Sequence, residues 1–344
     1  MDDMVAARTV IDEPRRVENG KDYSVTPITF EASWDRVKLK GDVYRPKNGD
    51  EKGAVIVHHG ISGNRFDVAE YAEGLAKDGF LVLAYDARGH NESEGELNVH
   101  RMASDVSSAI DTIRKDYGYT EVGLIGHSLG GVVSSVATAN DSRIKAFVSL
   151  STPASARDVC EAQGRLKLRF YDKMKEYWPQ HRNRMMKLLD FPVPDFVQNA
   201  GRNIRKMKKK LFKIKDTYCW EGKGLRIPSY SRHAEALLSM PDAIDYMPGI
   251  KVPCIIFNGS AEKDITPKQA LKLYDACGSA QKELVILSGE THDYMKSRGT
   301  VAAYAGKLFS KPNPPGTAVD YAEKMFSECL DNSHYNNPKA RKRG

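Results

Sequence analysis

The stretch "VGLIGHSLGGVVSSVATAN", Val122 to Asn140, decides how the rest of the chain is read. A short, continuous apolar run leads directly into Gly126-His127-Ser128-Leu129-Gly130, and a helical pattern starts directly after it. Glycines on both sides of a serine allow a tight strand-to-helix turn that lifts the Ser128 hydroxyl above the end of a sheet. A serine hydroxyl is a weak nucleophile near neutral pH. A catalytic reading therefore requires a base within hydrogen-bond reach, and a further group that fixes the tautomer of that base.

Working outward, the same grammar recurs. "AVIVHH" from Ala54, "FLVLAYD" from Phe80, "AFVSL" from Ala146, "CIIFNG" from Cys254 and "LVILSG" from Leu284 are unbroken apolar runs, as expected of parallel strands covered on both faces. "VKLKGDVYRP" from Val37 alternates instead and reads as a strand closed by Pro46. Helical patterns lie between the runs: "DVAEYAEGLAKDG", "ASDVSSAIDTIRKDYG", "LGGVVSSVATAN" and "TPKQALKLYDACG". In the last, Thr266 is expected to cap the helix, with Pro267 at its first position and Gln269 closing a capping box. The pattern predicts an α/β fold: a mostly parallel, doubly wound sheet of about eight strands.

The alternation breaks after "SLSTP" and resumes at "VPCIIFNG", leaving a helical, basic, Pro-interrupted insertion too long for an ordinary connection. The expected organisation is core, first part, over residues 1–153; a helical cap or lid over 154–250, after the sixth strand; core, second part, over 251–330; and a basic, disordered tail over 331–344. Within the cap lies "GRNIRKMKKKLFKIK", Gly201 to Lys215, where Ile204, Met207, Leu211 and Ile214 form one stripe among basic residues. The cap aromatics Phe170, Tyr171, Tyr177, Trp178, Phe191, Phe196, Phe212, Tyr218 and Trp220 suggest an apolar underside.

Composition narrows the classes further. A net charge of +7 over 344 residues is modest, and 41% hydrophobic content is ordinary for a globular core. The five cysteines are scattered with no Cys-x-x-Cys pair, which argues against a disulfide framework or a zinc site. With no targeting or membrane-spanning segment legible, a cytoplasmic protein is expected. His58 and His59 are adjacent on a strand, point to opposite faces and are read as structural rather than as a metal pair. Asp86, Arg88 and His90 follow a strand end, where they either line a pocket or form a structural loop network, and Asp105 is read as a cap or first-turn charge of a helix. No nucleic-acid motif accompanies the basic stretch.

The base and the acid have candidates. "LVILSGETHDYM" supplies His292 just after the last apolar strand. The loop in "IIFNGSAEKDITPKQA" offers two carboxylates. Residue type favours Asp264 and spacing favours Glu262, three residues after Gly259, with a slight lean to Asp264. For an oxyanion, the backbone N–H of Leu129 at the start of a helix and that of Ile61 after "HHG" are the candidate donors.

Together "HHGISGNR", "AYDARGHNESEG", "GHSLGG", "NGSAEKDITP" and "ETHDY" resemble the α/β-hydrolase superfamily, in particular lysophospholipase, monoglyceride lipase and cinnamoyl-esterase-like serine hydrolases. The resemblance spans roughly Val37 to Ser151 and Val252 onward. It implies the α/β-hydrolase fold, a triad of Ser128, His292 and Asp264 or Glu262, and no cofactor or metal. The departure is Glu262, where the family usually shows aspartate. The expected activity is hydrolysis of a carboxylic ester of medium or long acyl chain, lipid-like, through an acyl-serine intermediate. An acyltransferase or thioesterase with the same triad is the alternative, and a catalytically silent binding module a third reading. The expected partners are a small-molecule ester and, through the basic cap, an anionic membrane surface; nucleic acid is not expected, and the oligomeric state is left open.

Overall fold

The computed structural model describes residues 19–47, 49, 51–190, 238–294 and 297–310, with the backbone alone for 184–190. Eight strands form one sheet: β1 (Tyr23–Glu31), β2 (Lys38–Pro46), β3 (Ala54–His58), β4 (Leu81–Tyr85), β5 (Val122–His127), β6 (Ile144–Leu150), β7 (Cys254–Gly259) and β8 (Lys282–Leu287). Their spatial order is β1-β2-β4-β3-β5-β6-β7-β8. The β1–β2 and β2–β4 pairs are antiparallel, and every pair from β4 through β3 to β8 is parallel.

The apolar runs become the central strands for the reason that made them legible. Every residue of β3, β4 and β7 is buried, so neither face can carry polar alternation. The helices α1 (Ala69–Lys77), α2 (Val99–Tyr117) and α3 (Leu129–Asn140) fall between them. The two core clusters lie on opposite faces of the sheet. One packs α2 and α3 against Ile56, Leu83 and Leu124, and the other packs α1 against Val55, Val57 and Val82.

Strand β1 is an element that the alternation from Val37 does not announce. It carries Pro27 in its middle, and a proline, lacking an N–H, is tolerated only on an edge strand, which is where β1 lies. Two other expectations are corrected. Helix α2 begins at Val99, capped by the Asn98 side chain, so Asp105 lies in its second turn, buried. There its carboxylate takes both Nε–H (2.7 Å) and Nη2–H (2.6 Å) of buried Arg88, a bidentate pair that relieves the cost of burying either charge. The Thr266 capping box does not form. Thr266 has N-cap backbone geometry but makes no side-chain bond, because Gln269 instead donates to the Asp264 carbonyl (2.9 Å) and accepts from the Ala154 N–H (3.3 Å).

Between β6 and β7 the chain runs through α4 (Ala156–Ala162) and α5 (Arg165–Asp190), then α6 (Ala243–Tyr246). Met174 and Trp178 of α5 bury against Leu238, with Phe170 and Tyr171 beside them. The stretch Gly201 to Lys215, the aromatics from Phe191 to Trp220 and the tail over 331–344 lie outside the described residues. Helices α7 (Pro267–Ala276) and α8 (Arg298–Phe309) complete the core.

Candidate active site

Strand order locates the site. From β3 the chain steps to one side for β4 and to the other for β5, so β3 and β5 are neighbours at a topological switch point. Ligand crevices in open α/β sheets form there, beyond the carboxyl ends of the strands. His58 pairs with Gly126, so the residues just past them, Ile61 and Ser128, emerge side by side.

Ser128 joins β5 to α3 with φ 56° and ψ −118°, a conformation that non-glycine residues seldom adopt and that is held only where the surroundings over-determine it. Its neighbours do so. Its N–H donates to the Leu150 carbonyl (2.8 Å), and its own carbonyl accepts from Gly131 N–H (2.9 Å). The flanking glycines are required by close approach. A Cβ on Gly126 would lie 2.4 Å from the Gly130 carbonyl oxygen, and one on Gly130 would lie 2.5 Å from the His58 and His59 carbonyl oxygens.

The loop after β3 touches the same spot. A Cβ built on Gly60 would sit 3.1 Å from Ser128 Cβ. The Gly60–Ile61 peptide is oriented by its carbonyl, which accepts from His59 Nδ1–H (2.7 Å) and Gly63 N–H (3.1 Å). Because a trans peptide sets N–H opposite C=O, these bonds also fix the direction of the Ile61 N–H. The Ser128–Leu129 peptide is held the same way, and the Leu129 N–H, in the first turn of α3, has no intrahelical acceptor. His59 is structural in a specific sense that its position in the chain does not announce: its ring aims the Ile61 peptide. His59 Nε2 accepts from the Ala87 N–H (2.9 Å), so the ring is neutral with its proton on Nδ1, and burial holds its pKa well below the usual histidine value.

Of the two candidate acids, Glu262 meets the histidine. His292 Nδ1–H donates to Glu262 Oε2 (2.9 Å), while Oε1 collects the backbone N–H groups of Lys263 (2.9 Å), Asp264 (2.9 Å) and Ile265 (3.3 Å). One carboxylate thus closes its own loop and reaches the β8 loop. Burial alone would push the Glu262 carboxyl up, but the hydrogen bond and charge of His292, with the N–H groups of Asp264 and Ile265, outweigh it and hold it at about 2. Asp264 contributes its N–H to this arrangement, so the lean toward it is corrected in favour of Glu262 as the His292 partner.

Around the crevice, two charged clusters brace the loops. Arg65, which follows the Gly60 turn, pairs with Asp42 (2.8 Å), Asp86 and Glu92 (2.6 Å), and its N–H donates to Asp86 Oδ1 (2.8 Å). Arg88 pairs with Asp35 (2.8 Å) and Asp105, and His90 Nδ1–H donates to the Arg88 carbonyl (3.0 Å). Among the described residues, no group of three or more His, Cys, Asp or Glu side chains is arranged to hold a metal ion, and no helix is long and apolar enough to cross a membrane.

This fold, with a strained serine turn and a carboxylate-bound histidine at the carboxyl edge of its sheet, defines an α/β-hydrolase of esterase and lipase type. More particularly, residues 49–298 match the Hydrolase_4 family, described as serine aminopeptidase, S33, and the chain belongs to it. It is similar to the monoglyceride lipase of Mus musculus, 25% identical over 287 residues covering 81% of this chain and 87% of the relative. The monoglyceride lipase of Homo sapiens is 24% identical over the same shares. Among solved structures, the Pyrococcus furiosus esterase Pf2001 shares the fold with a TM-score of 0.59 at 18% identity, over 86% of this chain and 95% of that one.

Proposed function

We propose that the protein cleaves a carboxylic ester through an acyl-serine intermediate, with Ser128 as nucleophile, His292 as base and Glu262 as the acid that orients it. The observation that carries this reading is the 2.9 Å bond from His292 Nδ1 to a buried carboxylate, on a loop packed against the turn that bears Ser128. With Nδ1 engaged, Nε2 is the ring atom left to exchange a proton with the serine. Ser128 Oγ attacks the ester carbonyl and its proton passes to His292. The oxyanion is met by the N–H groups of Leu129 and Ile61. Collapse breaks the bond to the alcohol, which takes the proton from His292. Water, deprotonated by His292, then adds to the acyl-enzyme and releases the acid.

The preferred substrate is a lipid-like ester of medium or long acyl chain. Two supports are the monoglyceride lipases to which the chain is similar and the apolar cluster of Phe170, Tyr171, Met174, Trp178 and Leu238 in the insertion, read as a cap. The basic part of that cap is assigned a contact with anionic lipid surfaces. The family description favours a second reading, hydrolysis of an amide at an amino-terminal residue by the same triad. Transfer of the acyl group to an alcohol or thiol acceptor uses the same acyl-enzyme.

The test is a series of p-nitrophenyl esters of increasing acyl length beside aminoacyl p-nitroanilides, with wild type and Ser128→Ala. Turnover of the longer esters, lost in the variant, is expected. Anilide turnover without ester turnover supports the peptidase reading, and activity persisting in Ser128→Ala overturns the mechanism.

A further inference from the structure

Strand order sets a problem that the triad alone does not solve. Ser128 directly follows β5, whereas His292 follows β8, three strands away, or about 14 Å at the usual strand spacing. The β8 loop must therefore lean back across the ends of β7 and β6, and something must hold it there. Two contacts bridge the distance. Tyr294, at φ 47°, donates its hydroxyl to the carbonyl of Phe257 within β7 (3.0 Å) and shares a 2.7 Å hydrogen bond with Ser151 Oγ just past β6. The second reaches β5 itself: His127, immediately before Ser128, lies 2.8 Å through its Nε2 from the His292 carbonyl oxygen, and the two imidazoles lie 4.8 Å apart between centroids.

We propose that His127 is a positioning residue for His292, gripping the main chain of the base from the strand that carries the nucleophile and so registering the two reacting groups to one another. A carbonyl oxygen only accepts, so Nε2 is the protonated nitrogen and the neutral ring carries its lone pair on Nδ1. Removal from water, followed by the neighbouring His292, lowers the His127 pKa to about 4, so the ring stays neutral and keeps this donor tautomer. The bond leaves the His292 side chain itself unengaged, so Nδ1 remains with Glu262 and Nε2 with the chemistry. Placement of a base governs the chemical step more than substrate binding, because displacement by about 1 Å can cost about a hundredfold in rate. The proposal rests on the ester-hydrolase reading given above.

The experiment compares wild type, His127→Phe, which keeps the ring and removes the donor, and His127→Gln, which returns an N–H at a similar reach. Turnover of a p-nitrophenyl ester and the rate of labelling by a fluorophosphonate are measured, with Ser128→Ala as control and circular dichroism to confirm folding. Expected for His127→Phe is a fall in kcat of about 10- to 100-fold with KM within about twofold, a parallel fall in labelling rate, and recovery in His127→Gln to within about threefold of wild type. If His127→Phe does not fold, His127→Met takes its place as the donorless variant. A folded donorless variant with wild-type kcat overturns the proposal, as does a loss that Gln fails to restore or one carried by KM. Failure of the underlying reading is seen separately, as wild type without Ser128-dependent turnover.

Discussion

Glu262 carries two tasks that an aspartate at its position would have to divide. Its Oε1 gathers three backbone N–H groups of its own loop and its Oε2 extends to His292, so the additional methylene of glutamate supplies reach. Glu262→Gln is expected to keep the loop closed but to present an amide that either turns the His292 tautomer or leaves Nδ1–H unpaired, lowering kcat by about 10³- to 10⁴-fold. Asp264→Asn should leave kcat/KM near the wild-type value. Steady-state kinetics of the pair checks this, and the opposite order would return the acid role to Asp264. Ser128 and His292 were legible because each stands next to a strong strand signal. The choice between Glu262 and Asp264 was not, since it turns on side-chain reach across a loop, which residue type and spacing do not measure.

At the scale of elements, the turn from β5 into α3 works by contact rather than by propensity. Gly126 and Gly130 are present because the first turn of α3 lies against the backbone of β5 and β3 too closely for a Cβ. Gly130→Ala is expected to force α3 away from His58 and His59, costing about 1–3 kcal/mol of stability as overpacking does, and to lower activity further by moving Ser128. A shift in the urea midpoint with loss of fluorophosphonate labelling tests it; a variant as stable and reactive as wild type would show that α3 has slack. The same scale explains what pattern reading missed. The β1 edge strand is interrupted by a proline that an interior strand could not tolerate, and Asp105 looked like a terminal charge because its partner Arg88 is distant in sequence.

Across the whole molecule, the histidines His58, His59 and His90 form a buried chain with ring centroids 5.5 and 5.0 Å apart. Burial lowers His58 and His90 from 6.5 to about 4, and His59 well below the usual value. The sign follows from proton counting. Between pH 6.5 and about 4 the unfolded chain binds protons that these rings refuse in the fold, so stability is full above about 6.5 and falls as pH drops through that window. For His58 and His90 the loss is up to about 3 kcal/mol each, an upper bound set by the size of the shift. Urea midpoints at pH 7.5 and pH 5 should therefore differ, with the acid sample weaker. Equal midpoints would mean that these rings take up protons in the fold as readily as in the unfolded chain.

The division between the two levels of description follows from the range of the forces involved. Local chemistry, read along the chain, identified the serine turn, the parallel strands, the insertion after the sixth strand and the histidine after the last strand, because each depends on neighbours within a few residues. Which carboxylate meets His292, how His59 aims the Ile61 peptide, where Asp105 finds its charge partner and how His127 grips the His292 loop depended on the folded molecule. Three of those contacts join residues from different elements, and the His59 ring is aimed by the Ala87 N–H of another loop; hydrogen bonds of under 3 Å are specified by three-dimensional registry that no one-dimensional pattern encodes.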